Sequence, residues 1–180
     1  DTVRRGMIIY KNNNGDEDFS IFIKDCDNRF EINSKEIIGN NVVCYAKIGT
    51  DFNNGDIENK SYITLGSLNE VENIVEKNII SNYFCTGGYG FKSVLEFINT
   101  VDILERTGDI KTLYISHVIY HMIMQNQIFY GSRIKNYVDW GTQVEYDKYK
   151  KQFATLFIDI DGVLVINSGE HFKPRWGESA

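Results

Sequence analysis

The sequence predicts an α/β protein, a mixed sheet with helices packed on it. Short apolar runs of strand length recur through most of the chain, and two longer stretches carry helical patterning. Acidic residues stand directly after several of the apolar runs, where open α/β sheets place their ligands. The composition supports a real core: of 180 residues, 42% are hydrophobic and 13% aromatic, with 24% charged. That balance excludes a disordered, collagenous or coiled-coil chain.

The elements follow in order. Residues 1–11 end as an amphipathic helix that breaks in the polar turn Asn12-Asn13-Asn14-Gly15. Residues 19–24 (FSIFIK) have the size of a buried strand, closed by Asp25-Cys26-Asp27-Asn28. Residues 41–49 (NVVCYAKIG) predict a second strand, and the polar, Gly/Asn-rich residues 50–60 a loop. Residues 62–65 and 71–75 predict a strand pair around the turn near Leu68-Asn69. Residues 82–91 (NYFCTGGYGF) predict a strand with two adjacent glycines. Residues 92–106 place Val94, Leu95, Phe97, Ile98, Val101 and Leu104 close to one helical stripe, stopping at Gly108. Residues 113–125 are apolar nearly all round and predict a buried helix. Residues 128–138 predict a strand and 142–151 a charged surface helix capped by Thr142. Residues 154–160 (ATLFIDI) predict an isolated buried strand. The charged stretch 145–152 is the expected linker, dividing a main unit (1–150) from the start of another (151–180).

Charge and cysteine usage narrow the partners. Nineteen Lys and Arg against 25 Asp and Glu leave a net charge of −6. Arg4-Arg5 and Lys148, Lys150 and Lys151 are too few and scattered for a basic face, so no nucleic-acid partner is expected. No apolar run reaches the roughly 20 residues a bilayer needs, and no signal peptide is present, so no membrane partner is expected either. Cys26, Cys44 and Cys85 are an odd number, each within an apolar or strand-like run, and read as reduced thiols of a cytoplasmic protein. The sequon Asn59-Lys60-Ser61 is then a chance match. The start at Asp1 and the end soon after a strand-loop motif suggest a piece of a longer chain. A homo-oligomer is possible.

Four constellations could carry chemistry. Asp25 and Asp27, two apart at a strand end, could turn toward one hard cation such as Mg²⁺ or could simply form a polar turn. Glu76-Lys77, followed by Asn82, Gly87 and Gly88, could bind a phosphorylated polyol. The lysine would hold phosphate, the glutamate hydroxyls, and the glycines would admit a ligand to the backbone. A surface ion pair and a bulge are the structural alternative. Asp139, before Trp140-Gly141-Thr142, ends a strand and leads into a helix, so it is either a ligand or part of a cap. His117 and His121 share a helix face at zinc-ligand spacing, but no third ligand accompanies them and they read as core histidines.

In that order these pieces resemble the sugar-phosphate nucleotidyltransferases over about residues 1–150. The resemblance implies a GT-A-like mixed sheet with flanking helices, truncated at its N-terminus. It also implies Mg²⁺ held by Asp25 or Asp27 and Asp139, with Glu76, Lys77, Asn82, Gly87 and Gly88 on the substrate. The reaction would join a sugar 1-phosphate to a nucleoside triphosphate, giving a nucleotide sugar and pyrophosphate, in a route to capsule or another surface polysaccharide. The family's Gly-rich triphosphate loop is absent from the sequence and would lie before Asp1. Asn78 stands where a proline usually follows the Glu-Lys pair.

The fourth constellation, residues 156–165 (LFIDIDGVLV), resembles the first motif of the haloacid dehalogenase-like phosphatases. It implies the first strand of a second, Rossmann-like domain. Asp159 would be the nucleophile that forms an aspartyl-phosphate and Asp161 the general acid and base. The family's later motifs would need about another hundred residues. Two other functions stay open: a GT-A glycosyltransferase using an Asp-x-Asp metal site, and an inert sugar-phosphate-binding fragment.

Overall fold

The computed structural model describes residues 2–15, 17–52, 55, 57–107 and 112–153. The expected strand at 154–160, with Asp159 and Asp161, lies outside the described residues.

The chain runs α1 (Thr2–Asn14), β1 (Ile21–Lys24), β2 (Asn28–Glu31), α2 (Ser34–Ile37), β3 (Val42–Lys47), β4 (Ser61–Leu65), β5 (Val71–Glu76) and β6 (Tyr83–Phe91). It continues with α3 (Val94–Thr107), α4 (Ile115–Met124), β7 (Tyr130–Arg133), β8 (Lys135–Asp139) and α5 (Gln143–Lys150). The main sheet is mixed. Its order is β5-β4-β6-β3-β7, with β7 parallel to β3 and the other pairs antiparallel.

β6 is the longest strand and organises the rest. β3 lies along one of its edges, and the other edge is shared. β4 pairs with its first half at Phe84, and β1 with its second half from Gly88 to Phe91. The end of β1 and the start of β4 therefore face each other across Thr86-Gly87, where the sheet leaves a gap.

β3 shows why the sheet is buried on both faces. All of Val42 to Ala46 are buried. Val43 and Tyr45 join the core that α3 and α4 cover with Phe97, Val101, Val118, Ile119 and Met122. Val42, Cys44 and Ala46 join a smaller core with Tyr62, Phe84, Ile134 and Tyr137. A strand covered on both faces reads as a continuous apolar run, not as an alternation.

Three local expectations need correction. Residues 128–138 are not one strand: β7 ends at Arg133, and β8 leaves the main sheet to pair antiparallel with β2. Asn136, in left-handed backbone at φ 52°, lies within this second segment. β1 is not a fully buried strand, since only Ile23 is buried and Phe22 is exposed. β2 and the single turn α2 were not expected from sequence. α2 is capped by Asn33, whose Oδ1 accepts the Lys35 N–H.

Candidate active site at the gap beside Gly87

The site is built where β1 ends against β6. The Asp25 N–H donates to the Gly87 carbonyl at 2.8 Å, which continues the β1–β6 ladder by one residue. Gly87 has φ 77°, and a Cβ there would fall on the Asp25 carboxylate. Glycine is thus required twice, for backbone conformation and for the close approach of Asp25. The turn from Asp25 to Asn28 is held by Lys24. Its ammonium donates to the Asp25 carbonyl at 2.7 Å, to the Asn28 carbonyl at 2.8 Å and to Asn28 Oδ1 at 2.5 Å.

The small β2–β8 sheet then brings Asp139 to this turn. Asn28 pairs with Asp139, and the Trp140 N–H donates to the Asp27 carbonyl at 3.0 Å. A Cβ on Gly141 would touch both Asp27 Oδ2, at 3.0 Å, and Asp139 Oδ1, at 3.3 Å. Asp139 is buried and fully engaged. Its Oδ2 is paired with the Lys60 ammonium and accepts the Tyr137 hydroxyl at 3.1 Å, and its Oδ1 accepts the Gly141 N–H at 3.0 Å. Burial, and next the Asp139 charge, push the Tyr137 hydroxyl far up, so it stays protonated as a donor.

Glu76 and Lys77 approach from the β4–β5 edge. Ser61 is opposite Glu76, and the Lys77 N–H donates to the Lys60 carbonyl at 3.1 Å. Successive residues of a strand point to opposite faces. Here Lys77 is in left-handed backbone at φ 52°, the alternation ends, and both side chains line one cleft. Glu76 Oε2 accepts two hydroxyls, Ser61 at 2.5 Å and Ser116 at 2.6 Å. The Lys77 ammonium donates to the Tyr114 hydroxyl at 3.1 Å and stands 4.9 Å from that ring's centre. The Tyr114 contact raises the Lys77 pKa above its ordinary value.

These groups line one cleft of about 370 Å³: Asp25, Asp27 and Gly87 from the β1–β6 junction, Lys60, Glu76 and Lys77 from the β4–β5 edge, and Tyr114 and Ser116 from the start of α4. Thr86 borders it too, its hydroxyl buried with no hydrogen-bond partner among the described residues. Three expected residues do not line the cleft: Asp139, buried behind it on Lys60, Tyr137 and Gly141, and Asn82 and Gly88. Asn82 is exposed, and its carbonyl accepts the Ile48 N–H at 2.9 Å. Gly88 serves packing, because a Cβ there would strike Phe30 and Cys44. His117 caps α4 by accepting the Tyr114 N–H on Nδ1 at 3.2 Å. Sequence reading missed Lys60, Ser61, Tyr114 and Ser116. Lys60 and Ser61 were read as loop end and sequon, and a polar residue at a helix start reads as a cap.

The donor set suits a hard divalent cation. Desolvation, then the neighbouring Asp27 carboxylate, raise the Asp25 pKa. Two carboxylates held in mutual repulsion are what such an ion relieves, and Mg²⁺ needs only one or two protein carboxylates beside substrate oxygens. Among the described residues no group of three or more His, Cys, Asp or Glu side chains could hold a metal ion by itself.

The mixed sheet with its flanking helices thus puts the acidic turn and the Glu-Lys pair on one cleft, and its fold is similar to that of solved nucleotidyltransferases. Solved structures bear out the fold. A nucleoside-diphosphate-sugar pyrophosphorylase from Vibrio cholerae RC9 superposes with a TM-score of 0.69 at 18% identity, covering 84% of this chain and 64% of that one. A glucose-1-phosphate thymidylyltransferase from Bacillus anthracis, described as putative, gives 0.58 at 13% identity, covering 87% and 62%. The CTP:phosphocholine cytidylyltransferase of Streptococcus pneumoniae gives 0.56 at 13% identity, covering 83% and 62%. The chain thus spans under two thirds of the length of each of these structures. No family model and no curated protein sequence matches it. Among the described residues no helix is long and apolar enough to cross a membrane.

Proposed function

We propose that residues 2–153 form the sugar-phosphate side of a sugar-phosphate nucleotidyltransferase. The reaction is attack of a sugar 1-phosphate oxygen on the α-phosphorus of a nucleoside triphosphate, forming a nucleotide sugar and releasing pyrophosphate. The carrying observation is that Glu76 and Lys77, adjacent in sequence, both enter the cleft that Asp25 and Asp27 face. One site thus offers an acceptor for sugar hydroxyls, a cation for the phosphate and carboxylates for a divalent ion. Lys77 holds the phosphate and Glu76 the hydroxyls, which fixes the attacking oxygen; transfer of this kind rests on positioning and charge neutralisation. Asp25 and Asp27 would hold Mg²⁺, which when bound neutralises phosphate charge, while Asp139, engaged by Lys60, Tyr137 and Gly141, would stand behind them. A cytoplasmic location and a role in surface polysaccharide belong to the same proposal.

Calorimetric titration with glucose, galactose, mannose and N-acetylglucosamine 1-phosphates tests it. At least one should bind, and Lys77→Ala should weaken it by about ten- to a hundredfold, the worth of a charge-assisted contact. Binding that ignores Lys77→Ala, or no binding at all, would remove the assignment. Turnover that releases a nucleoside diphosphate in place of pyrophosphate would favour a glycosyltransferase.

We also propose phosphatase chemistry for the Asp159-x-Asp161 motif. In a protein with phosphatase activity, Asp159→Asn should abolish it, and undiminished hydrolysis would leave the motif a coincidence.

A further inference from the structure

The first turn of α4 reaches both members of the Glu76–Lys77 pair. Ser116 is 2% exposed, and its hydroxyl donates to Glu76 Oε2 at 2.6 Å. Two residues earlier, the Tyr114 hydroxyl accepts from Lys77 Nζ at 3.1 Å, with its ring against the ammonium. α4 itself is fixed: Val118, Ile119 and Met122 are buried in the main core, and His117 closes its N-terminal turn on the Tyr114 N–H. Its N-terminus, the positive end of the helix dipole, meets the Glu76 carboxylate and favours its negative charge.

We propose that Tyr114 and Ser116 are positioning residues that set the two charged groups of the cleft separately: Ser116, with Ser61, aims Glu76, and Tyr114 aims Lys77. The physical need is plain. Glu76 and Lys77 are both long, rotamer-rich side chains, and they are neighbours of opposite charge in one cleft. Left to themselves they would pair with each other and present neither group to a ligand. The structure gives each its own partner from α4 instead. Ser61 and Ser116 both donate to the same oxygen of Glu76, so Oε1 is the one turned over to other partners. A carboxylate oxygen only accepts, so the ligand group at Glu76 has to be a hydrogen-bond donor, as a sugar hydroxyl is. This deepens the sugar-phosphate reading and rests on it.

The test crosses two ligands with two variants. Ethyl phosphate reads the phosphate contact alone. The best-bound of the four hexose 1-phosphates reads phosphate and hydroxyls together. Ser116→Ala should cut the hexose 1-phosphate affinity by about tenfold and leave ethyl phosphate within about twofold, since one hydrogen bond orienting a charged group is lost. Ser116→Thr, which keeps the hydroxyl, should restore it. Tyr114→Phe keeps the ring and loses the acceptor, and should weaken both ligands by the same factor, about threefold. A general loosening of α4 would weaken both ligands together in Ser116→Ala, and that result overturns the proposal, as would full affinity in both variants. Should Ser116→Ala not fold, Ser61→Ala removes the other hydroxyl from the same oxygen and is held to the same criterion. If no hexose 1-phosphate outbinds ethyl phosphate in the wild-type chain, the sugar-phosphate reading falls, and this proposal with it. If Lys77-dependent hexose phosphate binding persists and only the crossed pattern is missing, this proposal falls alone.

Discussion

At Gly87 two demands meet on one residue. Its backbone is left-handed at φ 77°, and the Asp25 carboxylate occupies the space a side chain would need. The sequence showed a glycine pair, but which glycine serves the ligand side was not legible. Gly88, in ordinary backbone, instead accommodates Phe30 and Cys44. Gly87→Ala should therefore cost about 1–2 kcal/mol from the backbone alone, with more from displacing Asp25. Thermal unfolding with and without Mg²⁺ checks it: the variant should melt lower and lose any Mg²⁺-dependent stabilisation the wild type has. An unchanged melting temperature would mean the turn relaxes freely. Lys77 makes the same point in another way. Its left-handed φ of 52° is uncommon for a residue with a side chain, and it puts a charged pair on one face where a regular strand would divide it.

Among the elements, β3 and β7 form the parallel pair of the main sheet. The loop after β3 is tied to the end of β7 by Asp51. Its carboxylate accepts Arg133 Nε and Nη2, both at 2.9 Å, and the Lys47 N–H at 2.8 Å. The Arg133 hydrogen bond is the largest cause that holds the Asp51 carboxyl below its ordinary pKa. A lowered folded-state value means that the stabilisation is fully present above the ordinary carboxyl pKa. It is lost as pH falls through the lowered value. Because Arg133 is largely exposed, the pair is worth only about 0.5–1 kcal/mol. Asp51→Asn should cost that much at pH 7, and urea titrations at falling pH should show the difference from wild type shrink toward zero. A difference that persists in strong acid would place the effect in the loop's shape instead. Elements with one dominant pattern were the legible ones: the helices at α3 and α4, the apolar run of β3, and the hairpin β4–β5 around left-handed Asn69. β2 was not, and β8 was read only as the end of one longer strand, because four or five mostly polar residues have no periodicity to read and such a strand depends on its partner.

For the molecule as a whole, the two cores on either face of the sheet differ in what they hold in place. Phe84, fully buried, packs tilted against Phe52 at 5.3 Å and edge-on against Tyr137 at 5.5 Å between ring centres. Tyr137 is also a donor to Asp139, so this small core sets one wall of the acidic cluster. Phe84→Ala should cost about 3–5 kcal/mol in equilibrium unfolding. A cost below about 1 kcal/mol would show that Tyr137 and Phe52 close the cavity by themselves. By itself the sequence determined the α/β class, most of the main-sheet strands, both long helices, and the residue types of an acidic turn and a Glu-Lys pair. Those properties are local: they rest on periodicity, run length and turn chemistry within a few residues. Tertiary structure alone decided that Asp27 and Asp139 meet, since β2 must pair with β8 from more than a hundred residues away. It alone decided that Lys60 takes Asp139 and that α4 holds Glu76 and Lys77. Such contacts join positions whose spacing in the chain carries no trace of their distance in space, because strand pairing and helix packing, not local preference, bring them together.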